Sequence, residues 1–200
     1  MRLVNIIRNY TFLTMILLFL ISSCSENKSS KVESLEFEIN DNLLSDEISI
    51  DEINLSIRPP VDWYEIIGDD FEKASQNIKE ADNLFSLKLK HMFVSNNTST
   101  LIINKVGGTG FDYLPDNFQN ILRDNFNVES VLHSEFFINE IPIKQFIINI
   151  SDKIIFKLFI NNINNDLQID YIIPRNKYAN ELRKLESSLG SLTKTKKESK

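Results

Sequence analysis

The chain has 200 residues, of which 42% are hydrophobic, so it is long enough to bury a sizeable core and is not disordered as a whole. Its formal charge is −6, and residues 1–23 contribute +2, so the remainder carries −8, which disfavours binding to nucleic acid. A single cysteine excludes an internal disulfide, so the folded part must be stabilised by packing.

The N-terminus has the three-part pattern of a secretory signal peptide. Arg2 and Arg8 come first, residues 11–21 (TFLTMILLFLI) are almost wholly apolar, and two serines precede Cys24. The apolar run is shorter than the roughly 20 residues that a membrane-spanning helix needs. This segment has two other interpretations. It could be an uncleaved membrane anchor, or an ordinary signal peptide followed by an incidental cysteine.

The sequence ISSC at residues 21–24 resembles a bacterial lipobox, in which small residues precede a cysteine that becomes the acylated N-terminus. This resemblance predicts that Cys24 carries a lipid anchor and that residues 1–23 are removed as a lipoprotein signal peptide. Each buried methylene contributes about 0.8 kcal/mol, and stable anchoring takes more than one acyl chain. Ser25, rather than aspartate, follows the cysteine, which favours the outer membrane, with the domain facing the periplasm or the cell surface.

Residues 24–47 are predicted to be the lipidated cysteine and a flexible tether. Residues 25–34 are rich in Ser, Asn, Lys and Glu, and residues 35–53 alternate apolar and acidic side chains, which indicates an early strand or an irregular lead-in. We therefore place the folded domain at residues 48–192. Residues 193–200 (TKTKKESK) are predicted to be a disordered, charged tail.

The first half of the domain alternates short strands with helices. LSIRPP (residues 55–60) is a strand that two prolines end, and residues 71–85 carry apolar side chains near helical spacing. Asp70 is a suitable N-cap for this helix. Residues 91–106 predict two strands around a polar turn, and the glycine loop VGGTG leads to a second helix within residues 115–126.

The second half predicts an antiparallel meander and a closing helix. Short, turn-like connectors imply hairpin connections between four strands, at residues 128–138, 143–150, 154–160 and 167–173. Pro174 ends this sheet, and a helix follows at about residues 176–189. Gly190 is expected to end the helix.

The strands at residues 143–150 and 154–160 decide the layering, because each is apolar on both faces. A sheet with one wet face alternates apolar and polar side chains, whereas these strands need cover on both sides. Three amphipathic helices are available to supply it. The sequence therefore predicts an α+β fold in which an antiparallel β-sheet is flanked by helices on both faces, an α/β/α sandwich.

This order of elements is similar to that of the PsbP-like family, over about residues 50–192. The segments that carry the resemblance are IRPPVDW (57–63), FFINEIPIKQF (136–146) and YANELRKLESSLGSL (178–192). Asp62 and Glu140 stand where the family usually has glycine. The family includes extrinsic proteins of photosystem II and many bacterial lipoproteins. The resemblance therefore implies a binding or assembly module without catalytic residues, in which Pro60 and Trp63 define the fold.

The candidate catalytic and metal-binding patterns are weak. His91 and His133 lie in strands without the acidic or cysteine ligands that a metal site gathers, so structural or exposed histidines are the simpler interpretation. The loop with Gly108 and Gly110 lacks a phosphate-binding pattern and is interpreted as a flexible turn. The acidic pair at residues 69–70 lies where a helix should begin. We predict no catalytic residue, no cofactor and no metal.

Trp63 and Tyr64, directly after the prolines, are candidates for the rim of a partner-binding site together with Gly108 and Gly110. Packing of the aromatic pair under the sheet edge is the alternative. The sequence thus predicts a membrane-anchored lipoprotein that acts as a non-catalytic protein-binding or assembly module of the cell envelope. A carrier of a lipid or small hydrophobic ligand in an apolar cavity is the alternative, and an envelope enzyme is the weaker one.

Overall fold

The computed structural model describes residues 33–81, 85–96, 98–107, 118–125, 128–161 and 166–195. In these ranges three α-helices are present: α1 is Gly68–Ala81, α2 is Phe118–Asn125 and α3 is Tyr178–Gly190. None of the helices in this part of the chain has the length and apolar character to cross a membrane.

Eleven strands in the described ranges form two sheets. They are β1 (Glu33–Ser34), β2 (Ile48–Ile50), β3 (Leu55–Ile57), β4 (Trp63–Glu65), β5 (Ser86–Ser95), β6 (Thr100–Gly107), β7 (Val128–Ile138), β8 (Ile141–Ile150), β9 (Lys153–Ile160), β10 (Asp166–Pro174) and β11 (Thr193–Lys194). The large sheet has the spatial order β1-β7-β8-β9-β10-β6-β5-β4, and the small sheet has the order β11-β3-β2. All neighbours are antiparallel except β1 and β7, which are parallel. The α+β class with a large antiparallel sheet is therefore confirmed.

The predicted meander corresponds to strands β7 to β10, with one difference at its first turn. β8 begins at Ile141, two residues earlier than predicted, and Ile141 lies opposite Ile138 of β7. Asn139 and Glu140 alone form the connection, with φ angles of 47° and 62°. Two consecutive left-handed residues make the turn that best matches the twist of the flanking strands. Glycine would adopt the positive φ of position 140 without strain, whereas this chain places Glu140 there.

The apolar side chains on the two faces of β9 belong to two separate hydrophobic clusters. Leu158 lies in a cluster that contains Leu185 of α3 and residues of the small sheet. Phe159, on the opposite face by strand alternation, lies in a cluster that contains Phe118 of α2. β9 is therefore apolar on both faces because each face packs in a different hydrophobic cluster.

The packed domain begins before residue 48, which corrects the predicted extent of the tether. Leu44 is buried and forms an isolated β-bridge with Pro60, and Phe37 packs against the core. β1 adds a parallel strand to β7. Residues 33–47 therefore form a packed lead-in segment, because Phe37 and Leu44 contact residues that are distant in the sequence.

The first residues of the predicted tail also belong to the fold. Leu192 is fully buried, and Thr193–Lys194 pair with β3 as strand β11. The Thr193 hydroxyl lies 3.0 Å from the Ser56 hydroxyl, and either can donate. The predicted disordered tail thus begins too early, whereas residues 196–200 lie outside the described residues.

Helix α3 ends at Gly190, one residue beyond the predicted end, but for a different reason from the one that the sequence indicates. The following residue, Ser191, is right-handed, with φ −76° and ψ −9°, so Gly190 does not lead into a left-handed cap. A Cβ added at Gly190 would lie 2.8 Å from Cβ of Phe37 and 3.1 Å from Cγ1 of Ile39. The glycine therefore makes room for the lead-in segment.

Candidate partner-binding site

Trp63 is buried in the core and does not form part of an accessible rim. Its side chain is 5% exposed, and its ring meets Tyr171 of β10 edge-on, with the ring centroids 6.4 Å apart. A partner protein has no access to this ring. Trp63 therefore acts as the buried anchor of β4, and the core-packing alternative describes its position.

A chain of hydrogen bonds joins the sheet, α3 and the turn before β4. The hydroxyl oxygens of Tyr171 and Ser188 are 2.8 Å apart, and Ser188 Oγ donates to the carbonyl oxygen of Arg58 at 2.7 Å. With the Ser188 proton used in this way, Tyr171 is the donor to Ser188. Burial raises the pKa of the Tyr171 phenol, and the Ser188 hydrogen bond lowers it only in part.

Lys184 fixes α3 to the same turn. Its ammonium donates to Asp62 Oδ2 at 2.6 Å and lies 3.3 Å from Glu181 Oε2. Burial by itself would lower the pKa of Lys184, but hydrogen bonds and charges from Asp62 and Glu181 outweigh it and raise that pKa. Asp62 therefore takes part in a contact that holds the helix beside β4.

Three exposed apolar residues lie on β4 or next to it in the sequence, and we call them the edge patch. Val61 is 55% exposed, Tyr64 is 52% exposed and Ile67 is 75% exposed. β4 pairs with β5 on one side and with no described strand on the other. Exposed apolar groups beside an open strand edge are suited to contact an extended or apolar segment of a partner.

The edge patch contains one of the residues proposed for the rim, Tyr64. Val61 and Ile67 were missed by the sequence analysis, although Val61 lies two residues before Trp63 and Ile67 three residues after Tyr64. Gly108 and Gly110 lie outside the described residues, as does the predicted lipidation site, Cys24.

The two histidines lie far apart on the large sheet. His91 Nδ1 is 2.8 Å from Glu65 Oε1, and His133 Nε2 is 3.6 Å from Glu135 Oε1. Four strands separate β5 from β7, a distance of about 24 Å, so the histidines do not meet at one site. Among the described residues, no three His, Cys, Asp or Glu side chains converge as a ligand set for a metal.

The acidic pair Asp69 and Asp70 occupies the first turn of α1, where the sequence analysis expected a helix to begin. The helix begins at Gly68, whose φ of 62° needs glycine, rather than after a cap at Asp70. Asp70 forms an exposed ion pair with Lys73 at 3.3 Å. Negative charge is favourable at this end of a helix, so the pair has a structural explanation.

A cavity of about 270 Å³ lies between the lead-in segment and α3. Four of its lining side chains are ionisable, which makes it a poor fit for an apolar ligand. Its lining residues are Glu36, Phe37, Glu38, Asn40, Leu43, Arg183, Glu186 and Ser187.

No protein-family model and no curated protein matches the chain. Among solved structures, the chain is similar to the solution structure of cyanobacterial PsbP (CyanoP) from Synechocystis sp. PCC 6803. The two are 10% identical, the match covers 78% of this chain and 94% of that chain, and the TM-score is 0.45. The fold class given above follows from the strand order and packing of this chain itself.

Proposed function

We propose that this chain is a lipid-anchored protein of the bacterial envelope whose domain, an α/β/α sandwich of the PsbP-like type, binds a protein partner without catalysing a reaction. The observation that carries the proposal is the edge patch. Val61, Tyr64 and Ile67 are each more than half exposed, beside a strand edge that no described strand covers. Apolar and aromatic residues grouped in this way are typical of protein interfaces.

The turn that bears the edge patch is fixed by contacts with the core and with α3, so the patch is preorganised for a partner. Trp63 packs in the core, and Lys184 joins Asp62 to α3. A preorganised surface loses little conformational entropy when a partner binds. The edge patch therefore presents a defined surface.

The lipid anchor is proposed to hold this surface near the outer membrane. Nine peptide units separate Cys24 from Glu33 at the beginning of β1, so a fully extended chain spans at most about 30 Å. A partner would then be another protein in or close to the same membrane.

The first test concerns the anchor. Cys24→Ala removes the thiol that would carry the acyl chains, so incorporation of labelled palmitate should be lost while the protein is still made. Ser25→Ala keeps the cysteine and should keep the label. Palmitate labelling that persists in Cys24→Ala would show that the anchor is wrongly assigned.

The second test concerns the edge patch. In cells, chemical cross-linking followed by mass spectrometry should identify a partner, and the double variant Tyr64→Ser, Ile67→Ser should reduce its yield about tenfold, because the variant loses two exposed contacts. Leu132→Ser is the matched control, since Leu132 is 59% exposed but lies on β7 at the far side of the sheet. Equal losses in both variants would argue against the edge patch.

A further inference from the structure

Five apolar side chains on four neighbouring strands form one surface, which we call the apolar shelf: Met92 and Val94 of β5, Ile102 of β6, Ile172 of β10 and Ile155 of β9. Strand register places Met92 opposite Ile102. Thr100 lies opposite both Val94 and Ile172. Ile172 in turn lies opposite Ile155. Residues directly opposite each other on neighbouring strands have Cβ atoms about 5 Å apart, so these side chains adjoin one another.

The apolar shelf lies on the face of the large sheet against which α2 packs. Phe93, between Met92 and Val94, belongs to the cluster of the opposite face, whereas Ile155 packs against the cluster that contains Phe118 of α2. Each residue of the apolar shelf is half-buried. Apart from Ile155, these residues contribute to neither hydrophobic cluster of the described residues. The apolar shelf is therefore apolar surface that the two clusters do not use.

The apolar shelf continues into the edge patch, because Tyr64 of β4 lies opposite Val94. At about 4.8 Å between neighbouring strands, the surface from β4 to β9 is about 19 Å long. Two rows of side chains make it about 13 Å wide, so its area is roughly 250 Å². A stable interface buries about 800 Å² on each partner. The apolar shelf is thus too small to hold a second copy of this chain and is suited to one segment of a partner.

A single amphipathic helix fits a surface of this size. An α-helix is about 10 Å across, and a length of about 19 Å corresponds to about 13 residues. The helix bonds its backbone groups internally, whereas an extended segment laid across the sheet would leave amides and carbonyls unpaired against apolar side chains. The chain already has a helix on this face: Phe118 of α2 meets Phe146 and Phe159 edge-on, with ring centroids 4.9 and 5.7 Å apart.

Carboxylates at one end of the apolar shelf indicate the charge of the partner segment. Residues 61–72, which run from the edge patch into α1, contain five acidic and no basic side chains. Asp69 and Asp70 are exposed in the first turn of α1. Near the middle of the apolar shelf, Lys157 and Asp170 neutralise each other at 2.7 Å. The net charge beside the apolar shelf is therefore negative, which favours a partner with lysine or arginine and disfavours anionic lipid.

We propose that the apolar shelf is the docking surface for an amphipathic helix of the partner protein, about 13 residues long, whose apolar side crosses the strands from β4 to β9. Its lysine or arginine residues face the carboxylates at the beginning of α1. This inference rests on the proposed partner binding at the edge patch and adds the form and charge of the partner segment.

Site-specific photo-cross-linking of the full chain in cells tests the proposal. The photoreactive amino acid p-benzoylphenylalanine replaces either Tyr64 or Ile172, and mass spectrometry identifies the labelled residues of the partner. These two positions are separated by three inter-strand spacings, about 14 Å. The two probes should therefore label a helix at sites about 9 residues apart, whereas an extended segment would be labelled about 4 residues apart. The same probe in place of Leu132, on β7, is the control and should label neither site.

The outcomes separate this inference from the proposed function. When the probe at Tyr64 labels a partner, three results at Ile172 would overturn the docked helix and leave the edge patch in place. They are no label on that partner, a label at the spacing of an extended segment, and a label on lipid or on this chain itself. No partner label from either position would instead contradict the proposed function.

The charge of the helix is tested without a change in the apolar shelf. The double variant Asp69→Asn, Asp70→Asn should lower the yield from the Tyr64 probe about threefold in isolated membranes at low salt, and by less at high salt. Asp46→Asn, Glu47→Gln is the matched control, since both acids are exposed and precede β2. Equal yields in the two double variants would overturn the basic helix, even if the Ile172 probe variant did not fold.

Discussion

Tyr171 shows how one buried polar group makes the domain sensitive to pH. Burial raises its pKa in the folded state, whereas an unfolded tyrosine titrates near 10. A raised folded pKa means that the contribution to stability is complete below about pH 10 and is lost as the pH rises further. The folded protein retains a proton that the unfolded chain releases, so alkaline conditions favour unfolding.

Tyr171→Phe should therefore reduce the alkaline loss of stability. We expect the variant to be about 1 kcal/mol less stable at pH 8, since it loses the hydrogen bond to Ser188, and to depend less steeply on pH above 10. Urea unfolding between pH 8 and 11 measures both effects. Tyr64→Phe, on the exposed edge patch, should keep the wild-type slope, and an unchanged slope in Tyr171→Phe would refute this explanation.

At the scale of elements, the lead-in segment of residues 33–47 packs against α3. Two backbone amides hold the lead-in segment in place: Leu35 donates to the carbonyl oxygen of Phe137 on β7 at 2.8 Å, and Asn40 donates to Ser187 Oγ on α3 at 3.2 Å. Gly190 allows the approach, because its missing Cβ leaves room for Phe37. The lead-in segment is therefore a packed element although it has little regular structure.

Gly190→Ala should displace the lead-in segment from α3. The added methyl would meet Cβ of Phe37 at 2.8 Å, so we expect a loss of about 1–3 kcal/mol and faster hydrogen exchange at the Leu35 and Asn40 amides. Gly107→Ala is the control, because its added Cβ would lie 3.4 Å from the nearest atom, on Ser86. If the two amides exchanged at the wild-type rate in Gly190→Ala, the lead-in segment would tolerate the added methyl group and the expectation would be wrong.

At the scale of the whole molecule, the domain extends beyond both of the boundaries predicted from the sequence, residues 48 and 192. The lead-in segment covers α3 from one end of the chain, and β11 pairs with β3 from the other. Leu44 and Leu192 are both buried in these flanking parts. Residues outside the predicted boundaries therefore contribute to the stability of the domain.

Leu44→Ala tests this extent directly. Leu44 is 5% exposed, so its truncation should cost about 2–4 kcal/mol in the free energy of unfolding. The same substitution at Leu132, which is 59% exposed, should change stability by less than about 0.5 kcal/mol. Chemical denaturation compares the two variants, and equal stabilities would mean that residues 33–47 are a tether after all.

The candidate site could be predicted only in part, because exposure depends on neighbours that are distant in the sequence. The aromatic pair after the prolines was recognised, but Trp63 packs on Tyr171, more than a hundred residues later, while Tyr64 faces outward. Alternation along a strand places the two rings on opposite faces, yet it does not say which face is covered. Val61 and Ile67 were missed for the same reason.

The sequence by itself determined the local elements, namely the four-strand meander, the helices and the antiparallel connections. Their signals lie within a few consecutive residues, as a period of two or 3.6 and as connectors too short for a crossover. Only the tertiary structure decided that β6 lies beside β10, that residues 33–47 are packed, and that Asn104 meets Gln168. These features arise from pairing between distant strands, whose register and order leave no periodic signal in either strand alone.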